Sequence, residues 1–276
     1  MSKTDVRGIG AVPLSIAERL CLKLVTTLPS RRERSRATGG VIAVHDFAGS
    51  LRGFTTRFPD FLEAIRGADV LDYGCAMGHQ CIGMLLQDAR TVVGVDIQQR
   101  RIEAGRELLR QLQLDSRITL HTAVTSEMRE SFDVVASLDC VEHFPDPLAS
   151  LSEMKEVLKP GGRMFVTFGP VWYSAYGPHQ HEFTRAPWLH LLFSEEVVMK
   201  VRGIVMNEPG TRTYAQRWLN RMSVKRFEGL LRALDMEQES ISYDCSLGLS
   251  ILSKVPGVRE LAVNNISCVL RKCAGQ

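Results

Sequence analysis

The chain reads Val70-Leu-Asp-Tyr-Gly-Cys-Ala-Met-Gly-His79 at the point that decides its fold, where an apolar strand ends on an acid and enters a glycine loop. A second apolar strand, Val92-Val-Gly-Val-Asp96, ends on another acid 24 positions after Asp72. A strand, a tight glycine turn and a helix start allow backbone to approach a ligand closely. An acid at the end of the next parallel strand can bind the two hydroxyls of a ribose. The two strands therefore indicate a nucleoside-containing cofactor.

The spacing of the glycines narrows the choice of cofactor. Dinucleotide-binding folds use G-x-G-x-x-G with a helix N-terminus aimed at a pyrophosphate. Here Gly74 and Gly78 stand four positions apart, and Asp72 precedes the first of them. A carboxylate at that position would repel a pyrophosphate but suits a ligand with an ammonium group. S-adenosylmethionine carries an ammonium, a sulfonium, a ribose and an adenine, without phosphate. The spacing thus disfavours a nicotinamide dehydrogenase.

The pattern D-x-G-x-x-x-G, followed by an acid that ends the next strand, resembles class I S-adenosylmethionine-dependent methyltransferases of the type 11 or ubiquinone-biosynthesis kind. Two later blocks follow in the family's order: Phe132 to Pro147 is similar to its fourth strand and turn, and Leu158 to Thr167 to its next turn and fifth strand. The resemblance covers roughly residues 66–170. Two positions depart from the family: Ala76 replaces a usual glycine, and Ala123-Val124 stands where many members place an acid near the adenine amine.

The resemblance implies an α/β fold with a doubly wound, mostly parallel seven-stranded sheet. Strands alternating with helices support that architecture. The predicted strands are residues 69–72, 92–96, 118–122, 133–137, 163–168, 237–243 and 265–271. Residues 1–66 are predicted as an N-terminal helical cap, with helical spacing at 16–25 and one or two helices within 41–65. Residues 67–276 are predicted as the methyltransferase domain, with residues 169–221 as a substrate-side insertion, here called the lid insertion.

The resemblance also implies roles for the cofactor residues. The loop positions would pass the methionine end, Asp72 would lie near its ammonium group, and Asp96 would bind the ribose hydroxyls. Ile97 would pack on the adenine. The expected cofactor-binding set is Asp72, Gly74, Cys75, Gly78, Asp96, Ile97, Val124, Leu138 and Asp139. For Gly78 and Asp96, a plain helix start and a helix cap are the alternatives that the residues leave open.

The lid insertion begins where strand five ends, at the sheet edge where open α/β sheets bind ligands. It is rich in aromatic residues and histidines, so part of it should face the methyl acceptor. Substrate binding is expected of Trp172, Tyr176 and His181, and catalysis of His143, His179 and Tyr173. A histidine has a suitable pKa to take the proton of a hydroxyl acceptor. The alternatives are a turn histidine satisfied by backbone for His143, and packing roles for Tyr173, Tyr176 and His179.

No metal is expected. His179 and His181 with the nearby Glu182 could ligate one, but no third ligand follows at a recognisable spacing. Asp139 and Glu142 differ in arrangement from the acids of catechol-type sites in the resembled family. The sequence therefore favours a general-base role for a histidine over a metal site.

Composition limits the remaining classes. A net charge of +3 gives no case for nucleic acid. No apolar run reaches membrane-spanning length, and the N-terminus lacks a signal-peptide pattern. The seven cysteines form no C-x-x-C pair, which favours a reducing cytoplasm. The oligomeric state stays open, with a homodimer among the alternatives.

Together these features predict a cytoplasmic methyltransferase that uses S-adenosylmethionine and acts on a small molecule in secondary metabolism or cofactor biosynthesis. Oxygen is the expected acceptor atom. The fourth strand ends in Ser137-Leu-Asp139. It lacks the Pro-Pro-Tyr type of motif used on nucleobase amines, so nucleic acid is disfavoured as acceptor. Carbon or nitrogen of a small molecule remains an alternative. A catalytically silent protein that binds S-adenosylmethionine is the alternative of another class.

Overall fold

Seven strands form the single sheet of the computed structural model, which describes residues 13–30, 47–208, 210–248 and 250–274. In chain order they are β1 (Asp69–Tyr73), β2 (Thr91–Val95), β3 (Ile118–His121), β4 (Phe132–Leu138), β5 (Leu158–Phe168), β6 (Glu237–Cys245) and β7 (Val263–Arg271). Their order in the sheet is β3-β2-β1-β4-β5-β7-β6. Only β7 runs antiparallel to its neighbours, so β6 runs in the same direction as β5. The predicted doubly wound, mostly parallel sheet is confirmed.

The described residues also form ten α-helices. They are α1 (Ile16–Thr27), α2 (Arg52–Arg57), α3 (Phe61–Ile65), α4 (His79–Leu86), α5 (Gln99–Gln111), α6 (Pro147–Val157), α7 (Leu189–Leu192), α8 (Glu195–Met206), α9 (Val224–Leu234) and α10 (Arg259–Ala262). Short 3-10 turns occur at Val141–His143 and Gln180–Glu182, among other places. The first part of the predicted helical stretch, residues 41–46, lies outside the described residues.

Each face of the sheet is buried by helices, as a parallel sheet requires. On one face α2 to α5 pack with inward residues of β1, β2 and β4, and the aromatic rings of Phe54 and Phe61 stack 4.5 Å apart. On the other face α6 and α9 cover β5 and β7, where Phe227 meets Phe168 at 4.7 Å between ring centroids. The switch in strand order between β1 and β4 lies between these two layers.

A third apolar cluster stands apart from the sheet. Cys21 and Val25 of α1 pack with Val198 and Met199 of α8, and Glu18 forms an ion pair with Lys200 at 2.7 Å. The helices within residues 1–66 therefore pack in two different places. Helix α1 packs on the lid insertion, whereas α2 and α3 pack on the sheet.

Local sequence signals explain several element boundaries. Asp146 caps α6 by accepting from Ala149 N at 3.1 Å, and Pro147 occupies its first turn. Ser223 caps α9 in the same way through Arg226 N. The structure corrects strand five, which begins at Leu158 rather than at Arg163. Leu158 already pairs with Phe132 of β4, and after a register shift the pairing continues from Arg163.

Candidate functional site

The glycine loop after β1 has a backbone conformation that few residues other than glycine adopt. Gly74 and Gly78 have φ values of +91° and +80°, and Ala76 between them has +51°. A Cβ on Gly74 would lie 2.3 Å from the Cys140 sulfur, so only glycine fits there. Gly78 is the N-cap of α4. The missing side chain at Gly74 thus lets the loop backbone lie close to Cys140, which follows β4.

Asp96 holds this loop to the end of β2. Its Oδ2 accepts from Ala76 N at 3.0 Å and its Oδ1 from Gln98 N at 2.8 Å. The helix-cap alternative therefore describes part of what Asp96 does, although α5 itself begins one residue later. Each carboxylate oxygen has a second lone pair, which is what two ribose hydroxyls would need.

Asp72 has a buried carboxyl group near the end of β1, just before the loop. It is 1% exposed, Cys81 donates to its Oδ2 at 3.4 Å, and its Oδ1 has no hydrogen-bond partner among the described residues. Burial, with the nearby charge of Asp96, raises the pKa of Asp72 to about 7, against the weaker effect of Cys81. A buried carboxyl with an unsatisfied oxygen is suited to bind a cation. The loop and its two acids thus fit the ammonium and ribose of S-adenosylmethionine.

Four other predicted cofactor residues surround the same edge of the sheet. Ile97 is 64% exposed after β2, and Val124 is half-buried after β3. Leu138 ends β4, and Asp139 follows it with φ of +52° and donates its N–H to Thr167 O at 2.7 Å. Part of the Asp139 residue is exposed to solvent. The protein around its carboxyl group desolvates it and raises its pKa, and the positive charge of Arg57 opposes that shift. Cys75 is buried in the loop.

Two of the predicted catalytic residues meet. His143 follows β4 in the 3-10 turn, His179 lies in the lid insertion, and their Nε2 atoms are 3.1 Å apart. Burial lowers the pKa of His143, and hydrogen bonds with the backbone of Trp218 and Arg217 oppose that shift. His143 is therefore a neutral imidazole near pH 7, the form that accepts a proton.

Glu142 completes the cluster as a buried acid. It is 4% exposed, its Oε1 accepts from Gly169 N at 3.4 Å, and its Oε2 has no hydrogen-bond partner in the described part of the chain. Burial raises its pKa to about 8. Asn220 of the lid insertion donates to Val141 O at 2.7 Å and Phe144 O at 2.9 Å, and so fixes the turn that carries Glu142 and His143.

This cluster has two chemical uses. A carboxylate oxygen of Glu142 and one ring nitrogen each of His143 and His179 lie within 4.8 Å of one another, a set that could ligate a divalent metal. Without a metal, the same groups can pass a proton. The grouping of His179, His181 and Glu182 considered from the sequence does not form, because Glu182 is paired with Arg217 at 2.6 Å.

The other predicted lid residues lie around the cluster in different settings. Trp172 packs edge-on against His190 and Tyr214, with ring centroids 5.6 and 5.1 Å away. Tyr173 is 42% exposed, and among the described residues no hydrogen bond joins it to His143 or His179. Tyr176 donates to Arg185 O at 3.3 Å, and the exposed His181 ring stands edge-on to His179 at 5.8 Å.

Two contributors were not predicted from sequence. Asn220 holds the turn after β4, and Arg57 of α2 acts electrostatically on Asp139. Neither residue belongs to a motif, and both lie far along the chain from the groups they affect. Only the folded arrangement could reveal them.

Comparison with known proteins agrees with the geometry. Residues 65–172 match the family described as a methyltransferase domain. The ubiquinone biosynthesis O-methyltransferase of Pseudomonas putida (strain F1) is 35% identical over 104 residues, which cover 37% of this chain and 44% of that protein. The 27-O-demethylrifamycin SV methyltransferase of Amycolatopsis mediterranei is 31% identical over 126 residues, covering 43% of this chain and 46% of that protein. The match thus spans less than half of these relatives' own length.

Solved structures share the fold. Geranyl diphosphate C-methyltransferase from Streptomyces coelicolor A3(2) has a TM-score of 0.55 at 13% identity and covers 95% of this chain and 100% of that one. The cyclase SpnF has a TM-score of 0.52 at 15% identity, covering 96% and 100%. Residues 65–172 thus match a methyltransferase domain, and the chain shares the fold of these solved structures. Within the described residues, no helix is both long enough and apolar enough to cross a membrane.

Proposed function

We propose that this chain transfers the methyl group of S-adenosylmethionine to an oxygen of a small-molecule acceptor in a biosynthetic pathway. The observation that carries the proposal is the contact between His179 and His143 after β4, where burial lowers the pKa of His143. That end belongs to the same sheet edge as Asp72 and the glycine loop. The two O-methyltransferase relatives, whose names mention ubiquinone biosynthesis and a rifamycin, support a small-molecule oxygen acceptor.

The chain's residues would hold the methyl donor along the loop. Asp72 would bind the ammonium group, and Gly74, Cys75 and Gly78 would let the methionine end pass. Asp96 would accept from the ribose hydroxyls. The remaining contacts would come from Ile97, Val124, Leu138 and Asp139. S-adenosylmethionine supplies a methyl group already activated by its sulfonium, so the protein's task is alignment and exclusion of water.

The histidines would manage the proton. His143 would exchange its Nε2 contact with His179 for the acceptor's hydroxyl, and would take that proton as the new carbon–oxygen bond forms and the carbon–sulfur bond breaks. His179 would hold the ring in place until the acceptor arrives. Trp172, Tyr176 and His181 would shape the acceptor side, and Tyr173 is a second candidate for a catalytic contact. The acceptor is proposed as a small molecule rather than a nucleic acid.

Binding and turnover test this proposal separately. Calorimetry should show that S-adenosylmethionine binds the wild type and that Asp96→Ala greatly weakens binding, whereas Asp115→Ala, at an exposed acid beyond α5, leaves it unchanged. Labelled methyl incorporation should then be screened over phenols, carboxylic acids, sugars and polyketide-like compounds. A wild type that fails to bind S-adenosylmethionine refutes the proposal. Binding without incorporation into any acceptor class favours the silent S-adenosylmethionine-binding alternative.

The histidine assignment has its own test. His143→Ala should lower turnover about 100-fold or more, because general-base catalysis contributes on that order. His179→Ala should lower it less, and both should leave S-adenosylmethionine affinity unchanged. Unaltered turnover in both variants would remove the base from the proposal and favour carbon or nitrogen acceptors.

A chelator decides between the two uses of the cluster. Turnover is expected to be unchanged after treatment with EDTA, because the proposed reaction needs a neutral imidazole and no Lewis acid. Loss of turnover that Mn²⁺ or Zn²⁺ restores in the wild type, but not in Glu142→Gln, would assign Glu142, His143 and His179 to a metal instead.

A further inference from the structure

A cavity of about 450 Å³ lies between α2 and the end of β6. Its lining consists of Arg52, Gly53, Thr56, Arg57, Ser242 and Asp244. The volume is within the range of small-molecule sites. None of these residues belongs to the glycine loop or the histidine cluster.

The cavity shares a wall with the methyl-donor edge. Gly53 packs directly against Leu138, since a Cβ on that glycine would lie 2.6 Å from the leucine side chain. On the other wall, Asp244 pairs with Asn265 of β7, and the space beside Gly169, which follows β5, is filled by Asn264 and Asn265. Because β6 runs in the same direction as β5, the end of β6 lies at the sheet edge where β4 and β5 end. An acceptor in the cavity would therefore reach toward that edge.

Charge identifies what the cavity would hold. The lining itself carries two guanidinium groups and one carboxylate, and Asp139, on which Arg57 also acts, is not part of it. Arg57 donates through Nη1 to Gly53 O at 3.0 Å, while its Nε is buried and has no hydrogen-bond partner among the described residues. The distance from Arg57 Nε to Asp244 Oδ2 is 3.9 Å, which is too long for a hydrogen bond. The Asp244 side chain is 60% exposed. Arg52 is exposed and forms no ion pair with any residue that the structure describes.

The unsatisfied Nε and the second terminal nitrogen of Arg57 form one edge of its planar fork. That edge matches the two oxygens of a carboxylate or phosphate group. The hydroxyls of Thr56 and Ser242 are further donors on the same lining. A ligand without an acceptor would leave the Nε of Arg57 unsatisfied, whereas an oxyanion offers two charged acceptors to Nε and the terminal nitrogen together.

We propose that this cavity binds an oxyanion, a carboxylate or phosphate group, carried by the methyl acceptor, with Arg52 and Arg57 as its ligands. The inference rests on the proposed function, because it names the chemical class of the acceptor. It makes the acceptor an acidic small molecule, anchored at its charged end near α2 while its nucleophilic oxygen lies toward β4.

Calorimetry with three small probes tests the cavity without knowledge of the true acceptor. Benzoate, phenyl phosphate and benzamide share one ring and differ in charge, and each would be titrated into protein saturated with S-adenosylhomocysteine. At least one of the two anions should bind at millimolar concentrations, and benzamide should bind at least about tenfold more weakly, the size expected for one charge-assisted pair. Benzoate and phenyl phosphate together tell whether the site prefers a carboxylate or a phosphate.

Four variants make the result specific. Arg52→Gln and Arg57→Gln should each weaken anion binding about tenfold. Arg66→Gln, which removes a charge at an exposed position after α3, should not change it. Asp244→Asn should strengthen anion binding, a gain that a misfolded protein could not produce. Equal binding of benzamide, indifference to both arginine variants, or no signal from either anion would overturn the inference.

Donor binding on the same samples separates the two proposals. If S-adenosylhomocysteine binds normally and neither anion does, the cavity assignment fails alone. If S-adenosylhomocysteine does not bind, the proposed function fails, and the anion titrations on the free protein still decide the character of the cavity.

Discussion

Ala76 is a non-glycine residue with a left-handed backbone in the glycine loop. Its φ of +51° lies in the left-handed region, which costs a residue with a Cβ roughly 1 kcal/mol. The departure from the family's glycine is therefore a local strain in the loop rather than a neutral exchange. Two bonds hold it in place, from Ala76 N to Asp96 and from Gly78 N to Cys75 O.

Ala76→Gly should stabilise the protein by about 0.5–1 kcal/mol, because glycine adopts this φ without strain but has more freedom in the unfolded chain. Urea unfolding would measure the change. Ala104→Gly, at an exposed position inside α5, is the matched control and should destabilise by about 1 kcal/mol. Destabilisation by both substitutions would contradict the strain at Ala76.

Asp72 makes donor affinity depend on pH. Its pKa is raised to about 7 in the free protein, and a bound ammonium would favour the ionised carboxylate. Below pH 7 the site must lose a proton to bind, so the affinity for S-adenosylmethionine should rise with pH between about 6 and 7.5. Calorimetry across that range measures the slope. Asp72→Asn should bind more weakly and show little slope; an unchanged slope would place the titrating group elsewhere.

At the scale of elements, α1 belongs with the lid insertion. Val25 is 1% exposed in their shared cluster, so Val25→Ala should cost about 2 kcal/mol through lost burial and a partly filled cavity. Ile16 lies on the same helix but is 79% exposed, and Ile16→Ala should be nearly neutral. Limited proteolysis should cut residues 189–206 faster in the Val25 variant alone. Equal cutting in both would show that the insertion is held without α1.

The predictable elements are those whose pattern depends on the sheet. The predicted strand ranges for β1 to β4 agree to within one residue at each end, because buried parallel strands have continuous apolar runs. In contrast, α8 is absent from the predicted elements, although Ser194 with Glu195 and Glu196 is a helix-start signal. The contact of α8 with α1 joins residues far apart in sequence, and no local pattern encodes it.

For the whole molecule, two buried acids make the free protein less stable as pH rises. The pKa values of Asp72 and Glu142 are raised to about 7 and about 8, so their stabilising contribution is complete at acid pH and is lost as pH rises through those values. Buried histidines such as His143 act in the opposite direction, but only below about pH 6.5, where they titrate in the unfolded chain.

The free energy of unfolding of the ligand-free protein should therefore fall between about pH 6.5 and 8, and should level off once both acids are ionised in the folded state. Glu142→Gln resembles the protonated acid and should flatten the upper part of that fall. Urea unfolding at three pH values would measure both proteins. A wild type whose stability rises over this window would show that neither acid stays protonated in the fold.

The site as a whole was predictable only in its cofactor half. Asp72, Gly74, Gly78 and Asp96 lie within one short stretch, so their spacing could be interpreted directly. The acceptor half joins β4, the lid insertion, α2 and β6, which are distant in sequence. His143 and His179 could be named as candidates, but their contact and the involvement of Glu142 and Arg57 depend on how those elements pack.

The packing of α1 on α8 has a consequence for how the protein forms. Val25 and Val198 are far apart along the chain, so their contact closes a very long loop that contains most of the sheet. Contacts of such long range form slowly. We therefore expect the central sheet to assemble first and the lid insertion to join it late, so that α1 docks last although it precedes β1 to β7 along the chain.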